Sequence, residues 1–242
     1  MTKLRLFTIN GRLMSVKDSL KMDITDLLQD KDKGFKDIVT ATSKPKSSIS
    51  VKLDEMQKEG LIKSFPDPID KRGKIYRLDA KLVGTSHKAM PELFERSMER
   101  LDKVIDDPFE FMNYLFRSLW HLLDSFGIDA QPMLNILGES VGKQLIKKIK
   151  SDNAKGILDE LTEFFKKNKL SYVKIIDESP LTFLLYDCHQ CGEVRGKGVC
   201  LCAFYLGIFH QVFPAKLGKD VIIRQLECHT KGADACKLVI IE

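Results

Sequence analysis

Six cysteines are the side chains best suited to chemistry in this chain. All fall within residues 188–242, at Cys188, Cys191, Cys200, Cys202, Cys228 and Cys236. Their spacing is CxxC, then CxC, then a pair seven residues apart. A thiolate is both a metal ligand and a redox nucleophile, so thiols grouped this way point to a metal centre, a redox switch, or both. Zinc takes four ligands in a tetrahedron and accepts sulfur readily. Cys228 is predicted to end one strand and Cys236 to begin the next, with Gly232 and Asp234 in the loop between. Two thiols then meet at the mouth of a hairpin, and Cys202, near the start of the preceding helix, is the natural third ligand. Zinc is the expected cofactor. The alternative is a set of buried, reduced core cysteines, against which the density of six in so short a stretch argues. The CxxC pair Cys188 and Cys191 can form a reversible disulfide, or equally complete a metal site.

These thiols need a scaffold, and the apolar spacing supplies one. Phe109 to Phe126 is apolar on most sides and is predicted to be a buried helix. Leu134, Leu137, Val141, Leu145 and Ile149 form the stripe of a second, in which Gly138 and Gly142 permit close backbone approach. Ile157, Leu158, Leu161, Phe164 and Phe165 mark a third helix, and about Val199 to Val212 a fourth. Strand patterns fall at Tyr172–Ile176, Leu181–Tyr186, Val221–Leu226 and Leu238–Ile241. Residues 108–242 therefore read as an α+β domain with an antiparallel sheet.

Residues 1–85 carry a different pattern. Leu4 to Leu13 alternates around Asn10-Gly11, a hairpin turn signal, and a helix with Ile24, Leu27 and Leu28 follows. Phe35, Ile38, Val39 and Ala41 sit at helical spacing before the polar break Thr42-Ser43-Lys44-Pro45. Pro45 suits the first turn of the next helix, whose face is Ile49, Leu53 and Met56, and Glu59-Gly60 ends it. Two short helices with a tight turn make a helix-turn-helix. Leu61–Phe65 and Lys74–Leu78 then read as a hairpin with Lys71, Arg72 and Lys74 at its tip. Between the domains, residues 86–107 are predicted to form one charged connector helix with Leu93, Met98, Leu101 and Ile105 apolar. Such a helix can pack on its own domain or on its twin in a homodimer.

Charge follows the same division. Residues 1–85 hold 18 Lys and Arg against 12 Asp and Glu; residues 86–242 hold 21 against 22. The positive excess lies in the cysteine-free part, a weak electrostatic footprint for nucleic acid. No apolar run reaches the roughly 18–20 residues of a membrane span, and the N-terminus lacks a signal-peptide pattern. The expected location is cytoplasmic with no membrane partner, a setting in which clustered thiols are metal ligands or sensors more often than structural disulfides.

The stretch Lys44 to Leu53, ending in Glu59-Gly60-Leu61-Ile62, resembles the recognition helix of winged helix-turn-helix regulators, with the hairpin as the wing. The resemblance implies a double-stranded DNA partner. Lys46, Ser47, Ser50 and Val51 would face base edges in the major groove, and Ser48, Lys52, Arg72 and Lys74 would contact phosphates. The helix has no Arg, the strongest base reader, so specificity per subunit is expected to be modest.

Residues 110–242 resemble the 4-vinyl-reductase domain, a sensing module of phenol-responsive activators and archaeal regulators. The resemblance rests on Cys202 with Phe204 and Gly207, then Glu227-Cys228, Gly232-Ala233-Asp234 and Cys236. It implies zinc on Cys202, Cys228 and Cys236, joined by a glutamate where this chain has Gln225. Cys200, Cys191, Glu227 or His229 are then candidates for the fourth position, Cys200 foremost. A winged helix joined to this domain is similar to archaeal redox-responsive regulators of the MsvR type, in which cysteine oxidation controls DNA binding. Cys188 and Cys191 would be the redox pair here, with Arg195 where such proteins often carry a histidine. In the phenol sensors a His and a Trp orient the ligand. Phe116, Trp120, His121 and Tyr205 would line the equivalent pocket for a small apolar or aromatic ligand, or else simply pack in the core, as His210 would.

The reading that follows is a dimeric, non-enzymatic transcription regulator sensing redox state or a ligand. A reductase-like enzyme is the first alternative, although no dinucleotide fingerprint or P-loop is present. A protein-interaction adaptor is the second.

Overall fold

Asn10-Gly11 closes the first hairpin: β1 (Arg5–Ile9) pairs antiparallel with β2 (Arg12–Val16), setting Ile9 opposite Arg12. The computed structural model describes residues 4–68, 73–99, 101–186 and 202–242. The chain divides into two compact units, Met1–His87 and Lys88–Glu242. The class is α+β with antiparallel sheets.

In the first unit, Asp18 caps α1 (Ser19–Asp30) by accepting the Lys21 N–H at 3.0 Å. The two-residue strand β3 (Lys33–Gly34) leads into α2 (Phe35–Thr42), whose Asp37 carboxylate accepts the Gly34 N–H at 3.2 Å. A turn at Ser43 to Pro45 opens α3 (Lys46–Lys58). Next comes the antiparallel pair β4 (Ile62–Pro66) and β5 (Lys74–Leu78), and β3 joins its sheet in the order β3-β5-β4. The core is Phe7, Ile24, Ile38, Ile49, Leu53, Met56 and Leu61, all essentially inaccessible to water. Arg5 is buried beside it. Its guanidinium donates to Asp26 (Nη2 to Oδ2, 2.6 Å), to the Met22 carbonyl at 3.0 Å and to Thr25 Oγ1 at 3.2 Å.

The region expected to be one connector helix is built differently. β6 (Lys81–Ser86) returns to pair antiparallel with β1. Only α4 (Glu92–Met98) and a 3-10 turn at Leu101–Lys103 are helical before Asp107 among the described residues. Pro91 accounts for the interruption: the residue before a proline is pushed out of helical geometry, so a helix cannot run through Met90. The chain instead restarts its helix after Pro91.

In the second unit, Asp107 caps α5 (Pro108–Ser125), accepting the N–H groups of Phe109 and Glu110 at 2.9 and 3.0 Å. α4 packs against α5. The expectation of a fully buried α5 is corrected. Phe109, Met112, Leu115 and Leu119 are exposed, whereas Tyr114, Ser118, His121, Asp124 and Ser125 are the buried residues. The short β7 (Ile128–Asp129) and α6 (Gln131–Leu145) follow, then α7 (Ala154–Lys167), capped by Asn153, which accepts the Gly156 N–H at 2.9 Å. β8 (Tyr172–Glu178), β9 (Leu181–Tyr186), β10 (Ile222–Glu227) and β11 (Cys236–Ile241) form one antiparallel sheet in the order β10-β11-β9-β8.

α8 (Ala203–Leu217) is apolar all round, the pattern of a core helix, and buries Phe204, Tyr205, Ile208, Phe209, Val212 and Phe213. Its backbone meets that of α6 directly. A Cβ on Gly138 would lie 2.0 Å from the Phe204 carbonyl oxygen, and one on Gly207 would lie 2.2 Å from that of Asn135. The close approach inferred from Gly138 is present, and Gly207 is its counterpart. Gly207→Ala is therefore expected to force the helices apart and cost about 3 kcal/mol. Thermal unfolding checks this; an unchanged midpoint would mean that the crossing tolerates a methyl group.

Candidate functional site

Three elements bring three thiols together. Cys202 is the residue from which α8 starts, Cys228 follows β10, and Cys236 is the first residue of β11. The register of β10 on β11 shifts between Gln225 and Glu227, so Glu227 faces Lys237 at the end of the ladder. The chain then makes a 3-10 turn over His229–Lys231, with the Lys231 N–H donating to the Cys228 carbonyl at 3.0 Å. Gly232 closes that turn at φ +107, a left-handed conformation that glycine adopts without strain. Residues 232–235 carry the chain back to Cys236, whose backbone is also paired with Leu185 of β9.

The result is a sulfur triangle closed to solvent. Cys202 and Cys236 are fully buried and Cys228 is 6% exposed. The three Sγ atoms lie within 4.8 Å of one another, with Cys202 and Cys236 3.0 Å apart. The donor set is uniformly soft sulfur, as zinc and other thiophilic metals prefer. Burying unpaired thiolates in apolar surroundings is costly, and a bound cation removes that cost. Local dipoles favour the thiolate as well. The N-terminus of α8 points its positive end at Cys202, and the His229 N–H donates to Cys236 Sγ at 3.3 Å. Thr230, fully buried, places its hydroxyl 3.0 Å from Cys228 Sγ. These three cysteines fit a metal ion. Thr230 gives no sequence signal beyond its place two residues after Cys228.

Of the candidate fourth ligands, Cys200 and Cys191 lie outside the described residues, as do Cys188 and Arg195. Gln225 donates its amide to the Glu227 carbonyl at 3.2 Å. Glu227 faces Lys237, with 3.7 Å between carboxylate and ammonium. The His229 ring lies 3.3 Å from the Asp234 carbonyl.

The aromatic candidates are split between core and helix flank. Tyr205 is fully buried and donates to the Leu170 carbonyl at 2.7 Å. Its ring packs edge-on against Phe165 and Phe204, at 5.2 and 5.5 Å between centroids. It fills the core. Phe116 packs edge-on against Trp120 at 5.5 Å, and Trp120 lies against the same core. His121 is buried on α5. The Trp120 indole N–H is buried with no acceptor among the described residues.

On the first unit, α3 buries Ile49, Leu53 and Met56 and turns Lys46, Ser47, Ser48, Ser50 and Val51 outward. Val51 is 58% exposed, unusual for a β-branched apolar residue unless something covers it. Lys52 is half-buried, its ammonium 2.9 Å from Asp18 and 2.8 Å from Glu55. The hydrogen bonds to Glu55 and then Asp18 raise its pKa and hold it charged. Together with Lys21, which grips Glu59 at 2.6 Å, it ties α3 to the start of α1. Lys74 is exposed at the start of β5, and Arg72 lies outside the described residues. Lys46 and Lys74 have no carboxylate partner among the described residues.

Comparison with known proteins places part of this chain. Residues 181–242, which contain the sulfur triangle, match the 4-vinyl-reductase (V-4-R) domain. Three similar proteins, all from Methanocaldococcus jannaschii, are the uncharacterized proteins MJ0150, MJ1642 and MJ0745. Their identities are 26%, 26% and 28%, over 47%, 59% and 45% of this chain and 66%, 81% and 55% of theirs. Among solved structures, the phenol-responsive sensory domain of the transcription activator PoxR with phenol is 18% identical. It aligns over 55% of this chain and 73% of its own, with a TM-score of 0.39. Among the described residues, no helix is long and apolar enough to cross a membrane.

The triangle makes a direct prediction. Cobalt added to the reduced, metal-stripped protein is expected to give sulfur-to-metal charge-transfer absorption, which Cys236→Ser abolishes. A spectrum unaltered by that substitution would place the metal elsewhere.

Proposed function

We propose that this chain is a DNA-binding transcription regulator, acting as a homodimer and without enzymatic activity. In this reading the first unit is a winged helix-turn-helix. The 4-vinyl-reductase-type region of the second holds zinc and passes on a redox or small-ligand signal. The observation that carries the reading is the outward face of α3. Lys46, Ser47, Ser50 and Val51 project from a helix anchored by its opposite side, in the more basic part of the chain. A helix docked in the major groove reads bases with just such a row, and two copies on a pseudo-palindrome multiply modest individual affinities.

Zinc on Cys202, Cys228 and Cys236, with Cys200 as the proposed fourth ligand, would be structural: it links the start of α8 to the β10–β11 turn. The remaining thiols, Cys188 and Cys191, are the proposed redox pair, losing two protons and two electrons to an oxidant as they join. The ligand version of the signal is supported by the buried Trp120 N–H, which a hydroxyl or carbonyl oxygen of a small aromatic molecule would satisfy. Either signal acts only through different affinities for two conformations. A coupling of about 1–3 kcal/mol changes DNA affinity roughly 5–150-fold.

The first test is fluorescence anisotropy with DNA from upstream of the chain's own gene, with the protein reduced and then mildly oxidised. Binding in one state alone is the expected outcome for redox gating; equal binding in both points to a ligand. Absence of binding in either state would return the chain to the adaptor or reductase readings. Lys46→Ala and Lys74→Ala are each expected to weaken binding to all sequences and lower the salt slope by about 1. A slope that stays put removes that residue from the interface. The protein as purified is expected to carry one zinc per chain by elemental analysis, with Cys228→Ser losing it along with several kcal/mol of stability. Full zinc content in that variant would rule out the assigned ligands.

A further inference from the structure

α5 is turned inside out. Its buried residues are Tyr114, Ser118, His121, Asp124 and Ser125, all carrying polar atoms, while large apolar side chains face outward. The outward residues are also regularly spaced. Phe109, Met112, Phe116, Leu119, Leu123 and Phe126 alternate steps of three and four, the 3.5-residue repeat by which two helices interlock knobs into holes. Phe109 is 40% exposed, Met112 62%, Leu119 49% and Phe126 66%. Leu115 widens the stripe, and Ile105 extends it beyond the helix start.

We infer that this stripe is the homodimer seam, covered in solution by the same stripe of a second copy of the chain. The inference deepens the dimeric reading above and rests on it. Three features select a second copy over other partners. The heptad spacing is self-complementary, so an identical helix fits it without adaptation. Neither the seam nor its flanking positions Asn113, Leu115, Trp120 and Leu122 carries an ionisable group, so identical faces meet without like-charge repulsion; Glu110, Arg117 and Asp124 lie off the seam. The area also suffices. Five side chains of roughly 150–250 Å² each, about half exposed, give on the order of 500 Å² per copy. The total of about 1,000 Å² reaches the lower bound of specific interfaces before backbone and flanking atoms are added. A lipid surface is a poorer match, because an interfacial helix carries a basic flank and Arg117 is the one Lys or Arg in α5.

The test is sedimentation equilibrium of the full chain without DNA. The expected mass is twice the 27.6 kDa of one chain. Met112→Lys with Leu119→Lys is expected to give monomers with unchanged circular dichroism. Mixing that protein with one carrying Met112→Glu and Leu119→Glu should restore the dimer, a rescue that a folding defect cannot produce. A monomeric wild-type chain overturns the inference and leaves the stripe to a different protein, a lipid surface or the chain's own first unit. A dimer that persists in both charged variants overturns it too, since another surface then holds the copies together. Anisotropy on the same samples separates the two proposals. A dimer without DNA affinity keeps the seam and removes the regulator, whereas a DNA-binding monomer does the reverse.

Discussion

The second unit is organised around a contact that has no side chain on one partner. Where α6 crosses α8, Gly138 faces the Phe204 carbonyl and Gly207 faces that of Asn135, and Gly142 lies against Ile208 and Gln211. Backbone against backbone leaves no slack in the distance between the two helices. α8 is thereby held as the central core helix, with its aromatic residues directed at α7 and the sheet: Phe165 against Phe209, Phe183 against Phe209. Its first turn consequently arrives where β11 begins. The position of Cys202 against Cys236 is an outcome of that crossing, which is centred further along the same helix.

Polar groups do the equivalent work in the first unit. Arg5 is buried and satisfied by Asp26, Met22 and Thr25, a geometry that joins β1 to α1 and is intolerant of losing a partner. Lys21 and Lys52 join α1 to α3 through Asp18, Glu55 and Glu59. Both cations are thereby withdrawn from any role at the outer surface of α3. Of the basic residues expected to face DNA there, Lys46 is the one left unencumbered at the start of the helix. Exposed pairs contribute little individually, but five charges in one network fix the angle at which α3 is presented.

Much of this was legible in the residues. Asn10-Gly11, the Ile49–Leu53–Met56 face and the two strands around residues 66–73 are local signals, and local chemistry decided them. The sulfur triangle was readable because strand ends can be predicted on both sides of Cys228 and Cys236. What escaped depends on tertiary context. β6 has a glycine at position 84 and runs into the start of the stretch where a charged connector was expected, and its strand exists because β1 offers an edge. Pro91 did signal a break, but the apolar spacing beyond it suggested continuity. Periodicity identifies the apolar side of α5 without saying which side the protein buries, and here it buries the polar one. Thr230 was invisible because nothing in a sequence distinguishes a hydroxyl beside a thiol from one in water.

β11 lies between β10 and β9, hydrogen-bonded on both sides. A residue at the frayed edge of a sheet exchanges its surroundings easily; one at the start of an interior strand does so only when two ladders part together. Cys236 is such a residue. Any atom bound to its sulfur is therefore released on the timescale of sub-global opening. A site of this kind keeps a slow clock: its contents report past conditions and lag behind present ones.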